Sequence, residues 1–485
     1  MKALSGLDGA FLHLETPETP MHVASLHLFD LPARHRRDFH AAIRRHVRQR
    51  LHQAPVFVRK LAPMPLQFAN PVWVTDDRID LGYHVPRLTI DAPGTQAELE
   101  DCIGQLHSEI LDRSRPLWRL YVIDGLQSGQ VAIYIKVHHA VLDGQAGVLL
   151  AKALFDLEPD PPRQPRTDRL ATKAREHPGR AALTAAALKH DAGQYVKFMR
   201  QLPDVVRTLA GMFKAPSSGP VGKLGQNFSF GPRTPINVSI TGQRGFAALS
   251  LPLDALKQVA EAHAAKLNDV VLALCSDTLR RYLAGHGGIP KKPLIAAMPI
   301  SLRAAGNAEY TTQATMSLVN LKTHIADPVR RLRAIRDAAG AVKDLARRAK
   351  GVLPTDFPTI AVPWILHGLA TLYGRSGIAN VMPPIANVVI SNVPGPQVPL
   401  YAAGARMLTY WPVSIAEHGV GLNITVMSYA GTMGFGFTTA RNAVPDARAL
   451  THALAESFDE LVARTIGATK RRRAAGARRG VAART

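Results

Sequence analysis

The chain has 485 residues, 46% apolar and 20% charged, a globular composition long enough for about three ordinary domains and a large buried core. Its two cysteines, Cys102 and Cys275, make neither a disulfide framework nor a metal motif and suit a reducing compartment. The net charge of +22 comes without zinc-finger spacing or an RNA-recognition signature, so nucleic acid is not the expected partner.

Taken in chain order, Ser5-Gly6-Leu7-Asp8 has the form of a capping box, with Leu7, Phe11 and Leu14 on one helical face. No signal peptide is expected ahead of it. Phe39, Ile43, Val47 and Leu51 predict an amphipathic helix. Thr95 and Glu98 predict a second capping box, opening a helix that carries Leu99, Ile103, Leu106 and Ile110. Residues 118–123 and 131–137 read as strands joined through Asp124-Gly125 and Ser128-Gly129, and 148–154 as a helix. This first unit is a mixed sheet with helices.

A Pro-rich break at 158–162 and a basic stretch follow, then a helical pattern over 181–213 and a flexible Ala-Pro-Ser-Ser-Gly-Pro segment. A second α/β unit begins near Gly245, with helices over 253–264 and 269–284, a late hairpin around Gly431 and a final helix over 450–462. The boundaries are therefore 1–160, a linker with crossover helices at 161–244, 245–466, and a basic tail at 467–485 that is expected to be disordered. The apolar stretch 357–374, interrupted by Pro358, Pro363 and His367, suits a core segment or a hydrophobic entrance touching lipid rather than a membrane span. The basic tail is either solvated or drawn to an anionic membrane surface or an anionic cofactor.

The chemistry points to His138-His139-Ala140-Val141-Leu142-Asp143-Gly144, where a strand ends and a loop leads to a helix. An imidazole there can take a proton near neutral pH. Neighbouring residues on an extended chain face opposite ways, so one histidine faces a cavity and the other packed protein, and no shared metal is expected. Asp143 is placed to fix a tautomer or lock the loop, and Gly144 to allow a tight turn or close substrate approach. The alternative is a pair of buried, hydrogen-bonded histidines with Asp143 as a helix N-cap. The chain has no Gly-x-Ser-x-Gly elbow, Walker A loop or dinucleotide fingerprint, which counts against an acyl-serine hydrolase, a nucleotide hydrolase and a nicotinamide enzyme.

With these residues in hand, the chain resembles the bacterial wax ester synthase/diacylglycerol acyltransferase family over nearly its whole length, outside the linker and the tail. Besides the histidine motif, the matching segments are Leu4–Asp8 through Phe11, Glu15 and Pro20-Met21-His22-Val23; Pro116-Leu117-Trp118; Asn268-Asp269 with the apolar residues after it; and Ser391-Asn392-Val393-Pro394-Gly395-Pro396. The histidine motif by itself also occurs in chloramphenicol acetyltransferase relatives, carnitine acyltransferases and condensation domains.

The resemblance implies a mixed α/β fold of two chloramphenicol-acetyltransferase-like subdomains joined by a helical crossover linker, with a channel between them. It implies His139 as general base, with His138, Asp143 and Gly144 shaping the loop. It implies direct acyl transfer from a fatty acyl-CoA to diacylglycerol or a long-chain alcohol, giving triacylglycerol or wax ester, with no cofactor, metal or covalent acyl-enzyme. Substrate contacts are expected at Pro116, Leu117, Trp118, Asn268, Asp269 and Asn392, with the Gly144 N–H and the Asn392 side chain as candidate oxyanion donors. Trp118 reads equally as a core aromatic, and Asn268 more readily as a helix N-cap with Asp269 in the first turn. The expected workplace is the inner face of the membrane or a lipid body. The rival readings are a condensation-type enzyme using a carrier-bound thioester, a non-catalytic lipid-binding protein, and a charge-driven coating protein.

Overall fold

The computed structural model describes residues 2–4, 6–32, 38–62, 70–141, 146–161, 179, 185, 230–301, 314–348, 367–368, 371–374 and 376–482. Its elements run β1 (Lys2–Ala3), α1 (Gly6–Leu14), β2 (His22–Asp30), α2 (Phe39–Arg50), β3 (Arg59–Ala62), β4 (Val72–Thr75), α3 (Leu81–His84), β5 (Arg87–Thr89), α4 (Gln96–Ser108), β6 (Trp118–Asp124), β7 (Val131–His138) and α5 (Ala146–Leu154). The second half runs β8 (Arg244–Pro252), α6 (Leu253–Ala262), α7 (Leu267–Gly285), β9 (Ile295–Ser301), β10 (Ala314–Asn320), α8 (Pro328–Arg348), β11 (Val388–Val393), β12 (Tyr401–Ala402), β13 (Ala405–Met407), β14 (Trp411–Val413), β15 (Leu422–Tyr429), β16 (Thr432–Ala440) and α9 (Arg448–Ala482). The fold is mixed α/β with two main sheets, as expected.

The first sheet has the order β12-β13-β2-β7-β6-β5, with β14 also on β2. β7 is its centre, and every residue of β7 is buried. Val131, Ile133, Ile135 and Val137 face α2, whose Phe39, Ile43 and Val47 recur at helical spacing. Ala132 and Tyr134 face α4, whose Leu99, Ile103 and Leu106 cover the other side. Burying one such aliphatic side chain is worth about 1.5–3 kcal/mol. The Thr95 capping box is formed: the Thr95 N–H and hydroxyl both donate to the Glu98 carboxylate, at 2.5 and 2.8 Å.

The second sheet has the order β10-β9-β11-β15-β16-β8 and packs around α7, whose Val270–Cys275 run and Leu279 are buried. β15 and β16 form the hairpin expected at Gly431, which holds φ +85°. Fully buried Arg331 of α8 pairs with Asp277 of α7, and Arg281 joins Asp277 to Glu456 and Glu460 of α9. The three helices are thereby bound by charge as well as by apolar contact.

The halves interlock. Chain from the second half returns to the first sheet: Met407 of β13 pairs with Phe29 and Trp411 of β14 with Leu26. α4 lies between the first sheet and β8, and their side chains share one core with Phe246, Ala248 and Trp411. Glu100 of α4 accepts the Ala248 N–H at 3.0 Å, and the Trp411 indole donates to Ser250 Oγ at 2.8 Å.

Three expectations need comment. The helical pattern over 181–213 lies, but for residue 185, outside the described residues. The Ser5 capping box also lies outside them. The segment 467–485 was expected to be disordered, yet the last helix continues through Ala482. Its composition accounts for this, since Ala, Arg and Lys are strong helix formers and outnumber the glycines that oppose them.

Gly104 of α4 marks a tight approach of the halves: a Cβ there would sit 2.6 Å from the Arg244 carbonyl. Glycine to alanine in an open helix gains about 1 kcal/mol. Here Gly104→Ala should instead destabilise by about 1–3 kcal/mol through overpacking, measured by urea unfolding. A more stable variant would mean that α4 and β8 are not in such contact.

Candidate active site

His138 ends β7, and the chain turns into a short 3-10 segment, His139–Val141. Backbone bonds from two different neighbours set this exit. The His138 N–H donates to the Leu117 carbonyl at 3.0 Å, and the His139 N–H to the Met21 carbonyl at 2.8 Å. Pro116 and Leu117 thus act through the backbone, placing a carbonyl where the histidine strand needs an acceptor. Trp118 is 1% exposed, donates its indole N–H to the Phe57 carbonyl at 3.2 Å and stacks on His84 at 4.3 Å. That is the packing of an interior aromatic, one of the two readings its sequence allowed.

The His138 side chain is fully buried. Its Nδ1 accepts the Ala140 N–H at 3.0 Å, so the ring proton sits on Nε2, 3.4 Å from Glu15 Oε1. His22, directly opposite in register on β2, brings its Nε2 to 3.2 Å from the same oxygen. The Glu15 carboxylate, with 1% of its side chain exposed, also accepts the Met21 N–H at 3.0 Å on Oε1 and the Arg113 guanidinium at 2.8 Å on Oε2. Burial by itself would raise the Glu15 pKa. The contacts from His138 and then His22 outweigh it and hold the carboxyl well below its usual 4.5. Burial lowers His22 to about 4, with Glu15 opposing the shift and Lys136 adding to it, so His22 is neutral at pH 7.

His139 lies beside this cluster. Its ring stacks on Phe11 of α1 with centroids 3.9 Å apart and planes 25° apart. Its Nδ1 is enclosed and has no hydrogen-bond partner among the described residues. Burial first, and His138 second, lower its pKa to about 4, against a small opposing effect of its own backbone. It is therefore a neutral imidazole at physiological pH, poised to accept a proton. Asp143 and Gly144 lie outside the described residues.

The inner face of β7 continues the polar run. Tyr134 donates its hydroxyl to His107 Nδ1 at 2.8 Å, and His107 Nε2 donates to the Ser414 carbonyl at 2.8 Å. Lys136 is fully buried and donates to the Leu106 and Glu109 carbonyls at 2.6 and 2.7 Å, closing the C-terminal end of α4. Burial lowers its pKa to about 8.

In the second half, Asn392 of β11 donates its Nδ2 to Asn268 Oδ1 at 3.2 Å, so two residues singled out from sequence meet. Asn268 is not the N-cap it was read as. α7 starts at Leu267, two residues before the expected 269, and it is Asp269 that closes the helix end by accepting the Lys266 N–H at 2.8 Å. This frees the Asn268 side chain to face Asn392. The Gly395 N–H and the Gln397 side chain both donate to Ser428 Oγ, at 3.2 and 2.9 Å, and pin the turn after β11 to β15. A cavity of about 610 Å³ at the Asp30–Asp124–Gln130 end of the first sheet contains neither histidine. It lies at the opposite end of β7, about 23 Å along the strand.

Glu15, His22 and Arg113 carry no role in the sequence reading, although Glu15 and His22 stand in the opening segment. The available signal was an acid and a histidine spaced so that a helix end and a strand start bring them together.

The chain matches the family model for the wax ester synthase/diacylglycerol acyltransferase catalytic domain over residues 4–271 and the model for the C-terminal domain of the same family over 311–462. It is 37% identical to a Mycobacterium tuberculosis protein named as a diacylglycerol O-acyltransferase, covering 94% of this chain and 99% of the relative. It is 33% identical to O-acyltransferase WSD of Acinetobacter baylyi, covering 92% and 93%. Among solved structures it is similar to the wax ester synthase/diacylglycerol acyltransferase from Marinobacter aquaeolei VT8, at 28% identity and TM-score 0.69, covering 96% and 100%. The first condensation domain of the calcium-dependent antibiotic synthetase shares the fold, at 16% identity and TM-score 0.54, covering 96% of each chain.

Glu15→Gln keeps the shape and removes the charge. Because the Glu15 pKa is depressed on folding, its stabilisation is full above the unfolded value of about 4.5 and is lost as pH falls below it. Thermal melts should show the variant less stable at neutral pH, with the gap narrowing progressively as pH falls below about 4.5. A gap that stays constant or widens would show that the carboxylate is not paired in this way.

Proposed function

The chain belongs to the wax ester synthase/diacylglycerol acyltransferase family, and within that acyltransferase family we propose that neutral His139 is its general base for direct transfer from a fatty acyl-CoA to a lipid alcohol. The observation that carries the proposal is the placement of His139: just past the end of a buried strand, stacked on Phe11, with its Nδ1 enclosed and its pKa lowered. With Nδ1 enclosed, Nε2 is assigned the proton transfer.

In this reading His139 Nε2 takes the hydroxyl proton of the acceptor as its oxygen attacks the thioester carbon. The tetrahedral intermediate collapses, the C–S bond breaks, and the imidazolium returns its proton to the departing CoA thiolate. The products are an ester and free CoA, with no redox step and no acyl-enzyme. Its low pKa keeps the ring unprotonated at pH 7 and makes the imidazolium a ready acid toward a thiolate. His138 acts as a positioning residue, tied at Nδ1 to Ala140 and at Nε2 to Glu15, so that the turn presenting His139 cannot rotate freely. Asp143 and Gly144 keep their assigned role in the loop. The Gly144 N–H and the Asn392 amide are the candidate oxyanion donors, Asn392 being steadied by Asn268.

The names of the relatives support diacylglycerol as one acceptor, and the family name supports long-chain alcohols as another. No helix among the described residues is long and apolar enough to cross a membrane. We assign the enzyme to peripheral association with the inner face of the membrane or with lipid bodies, where such acceptors reside.

CoA thiol release from palmitoyl-CoA, with diacylglycerol or hexadecanol added, should depend on acceptor and fall about 10²–10⁴-fold in His139→Ala. Release without acceptor dependence by a folded, lipid-dispersed protein would move the assignment to a carrier-bound donor or to lipid binding.

The pH profile tests the base separately. The neutral ring is the active form, so kcat/KM should stay level from neutral pH down to about pH 5 and fall only toward about pH 4. An acid limb centred near 6.5 would assign the base to an imidazole with no lowered pKa.

A further inference from the structure

We propose that the face formed by residues 230–235, 286–292, 372–374 and 376–385 docks this enzyme on an anionic phospholipid bilayer. The proposal deepens the lipid-acceptor reading above and rests on it for its purpose, but its geometry is independent of the histidines.

Large apolar side chains are seldom exposed together on a soluble surface without a partner. Here Phe230, Ile289, Leu372, Val381, Met382 and Ile385 are all exposed, Val381 by 73% and Ile385 by 65%. They come from three segments of sequence, and hydrogen bonds and close contact join those segments into one surface. The Gly231 N–H donates to the Pro384 carbonyl at 2.7 Å, the Arg233 guanidinium to the Asn380 carbonyl, and Asn387 Nδ2 to the Pro232 carbonyl at 2.6 Å. Gly287 abuts Pro235, where a Cβ would lie 2.8 Å from the proline ring.

The charge carried by these three segments has one sign. Arg233, Lys291 and Lys292 are exposed within it. The sequence has no Asp or Glu between Asp204 and Asp254, nor between Asp356 and Glu417. Aliphatic and methionine side chains set among cations, without acids, complement a bilayer with negative headgroups, where apolar tips enter the acyl boundary and each nearby cation adds attraction. A protein partner of ordinary composition would be expected to meet paired charges at the rim instead. β11 leads from this surface, beginning three residues after Ile385, and carries Asn392 toward its far end. The surface is therefore joined by one strand to the Asn268–Asn392 pair.

The test is sedimentation of the full-length protein with sucrose-loaded vesicles of phosphatidylcholine, with and without phosphatidylglycerol, at low and high salt. The parent should prefer the anionic vesicles. The triple variant Val381→Asp, Met382→Asp, Ile385→Asp should lose binding by about tenfold or more, and Lys291→Glu with Lys292→Glu should remove the salt-sensitive part. Circular dichroism melts and thiol release from detergent-dispersed substrate should be unchanged in both. Should the triple variant fold poorly, the lysine pair still decides.

Parent-like vesicle binding by both variants would overturn the proposal, as would binding lost only when residues 467–485 are deleted. A parent that is dimeric by light scattering, with the triple variant monomeric and still vesicle-bound, would assign the surface to a second copy of this chain and also overturn it. Vesicle binding requires no turnover, so a bound but inactive parent counts against the acyl-transfer reading alone. An active parent that does not bind counts against this proposal alone.

Discussion

A strand buried on both faces imposes the central constraint on this molecule. Every residue of β7 is buried, so the polar groups it carries call for partners inside the protein. Its apolar residues take care of themselves by packing on α2 and α4. Lys136, Tyr134 and His138 cannot, and each recruits partners from another element. Lys136 takes the carbonyls at the end of α4, Tyr134 takes His107, and His138 takes Glu15 and the Ala140 N–H. The polar inner face of one strand therefore dictates where a helix ends, how the opening segment folds back and how the chain leaves the sheet.

Glu15 is the costliest of these partners, since a carboxylate out of water must be compensated at every lone pair. Around it stand two imidazoles and a donating backbone N–H at one oxygen and a guanidinium at the other, with the His22 Nε2 also accepting the Leu111 N–H at 3.3 Å. Arg113 is half-exposed, so the charge of the pair is shared with solvent while the histidine side stays dry. The outcome for His139 is a rigid support under a neutral ring. The two adjacent histidines thus stand in different surroundings, one beside the buried carboxylate and the other a neutral ring stacked on Phe11.

The two halves are held by exchanged structure rather than by surface contact. β13 and β14 complete the first sheet from the second half of the chain, and α4 of the first half packs on β8 of the second. Such an interface has the character of a core and resists relative sliding. For an acyltransferase, which must bring a donor and an acceptor together, a fixed spacing between halves is what allows proximity to contribute to rate.

Much of this was legible in the sequence because it is local. Strand, turn and helix around the histidines, the Thr95 capping box, the Gly431 hairpin and the amphipathic α2 are each decided by residues within a few positions of one another. The tail is local too: its charge alone points to a solvated segment, while the propensities of Ala, Arg and Lys favour the helix that continues through Ala482. What only the tertiary structure decided is non-local. Glu15 and His22 acquire meaning when β2 pairs in register with β7, and Asn268 exchanges a capping role for a partner 124 residues away. β12, β13 and β14 are too short to show periodicity, so nothing in their own residues announces that they close the first sheet. The sequence by itself determined the family and the local elements around the two histidines, since those depend on side-chain type and local spacing. Which of them are charged, neutral or merely structural was decided by burial and by partners from distant segments, and those exist only in the folded chain.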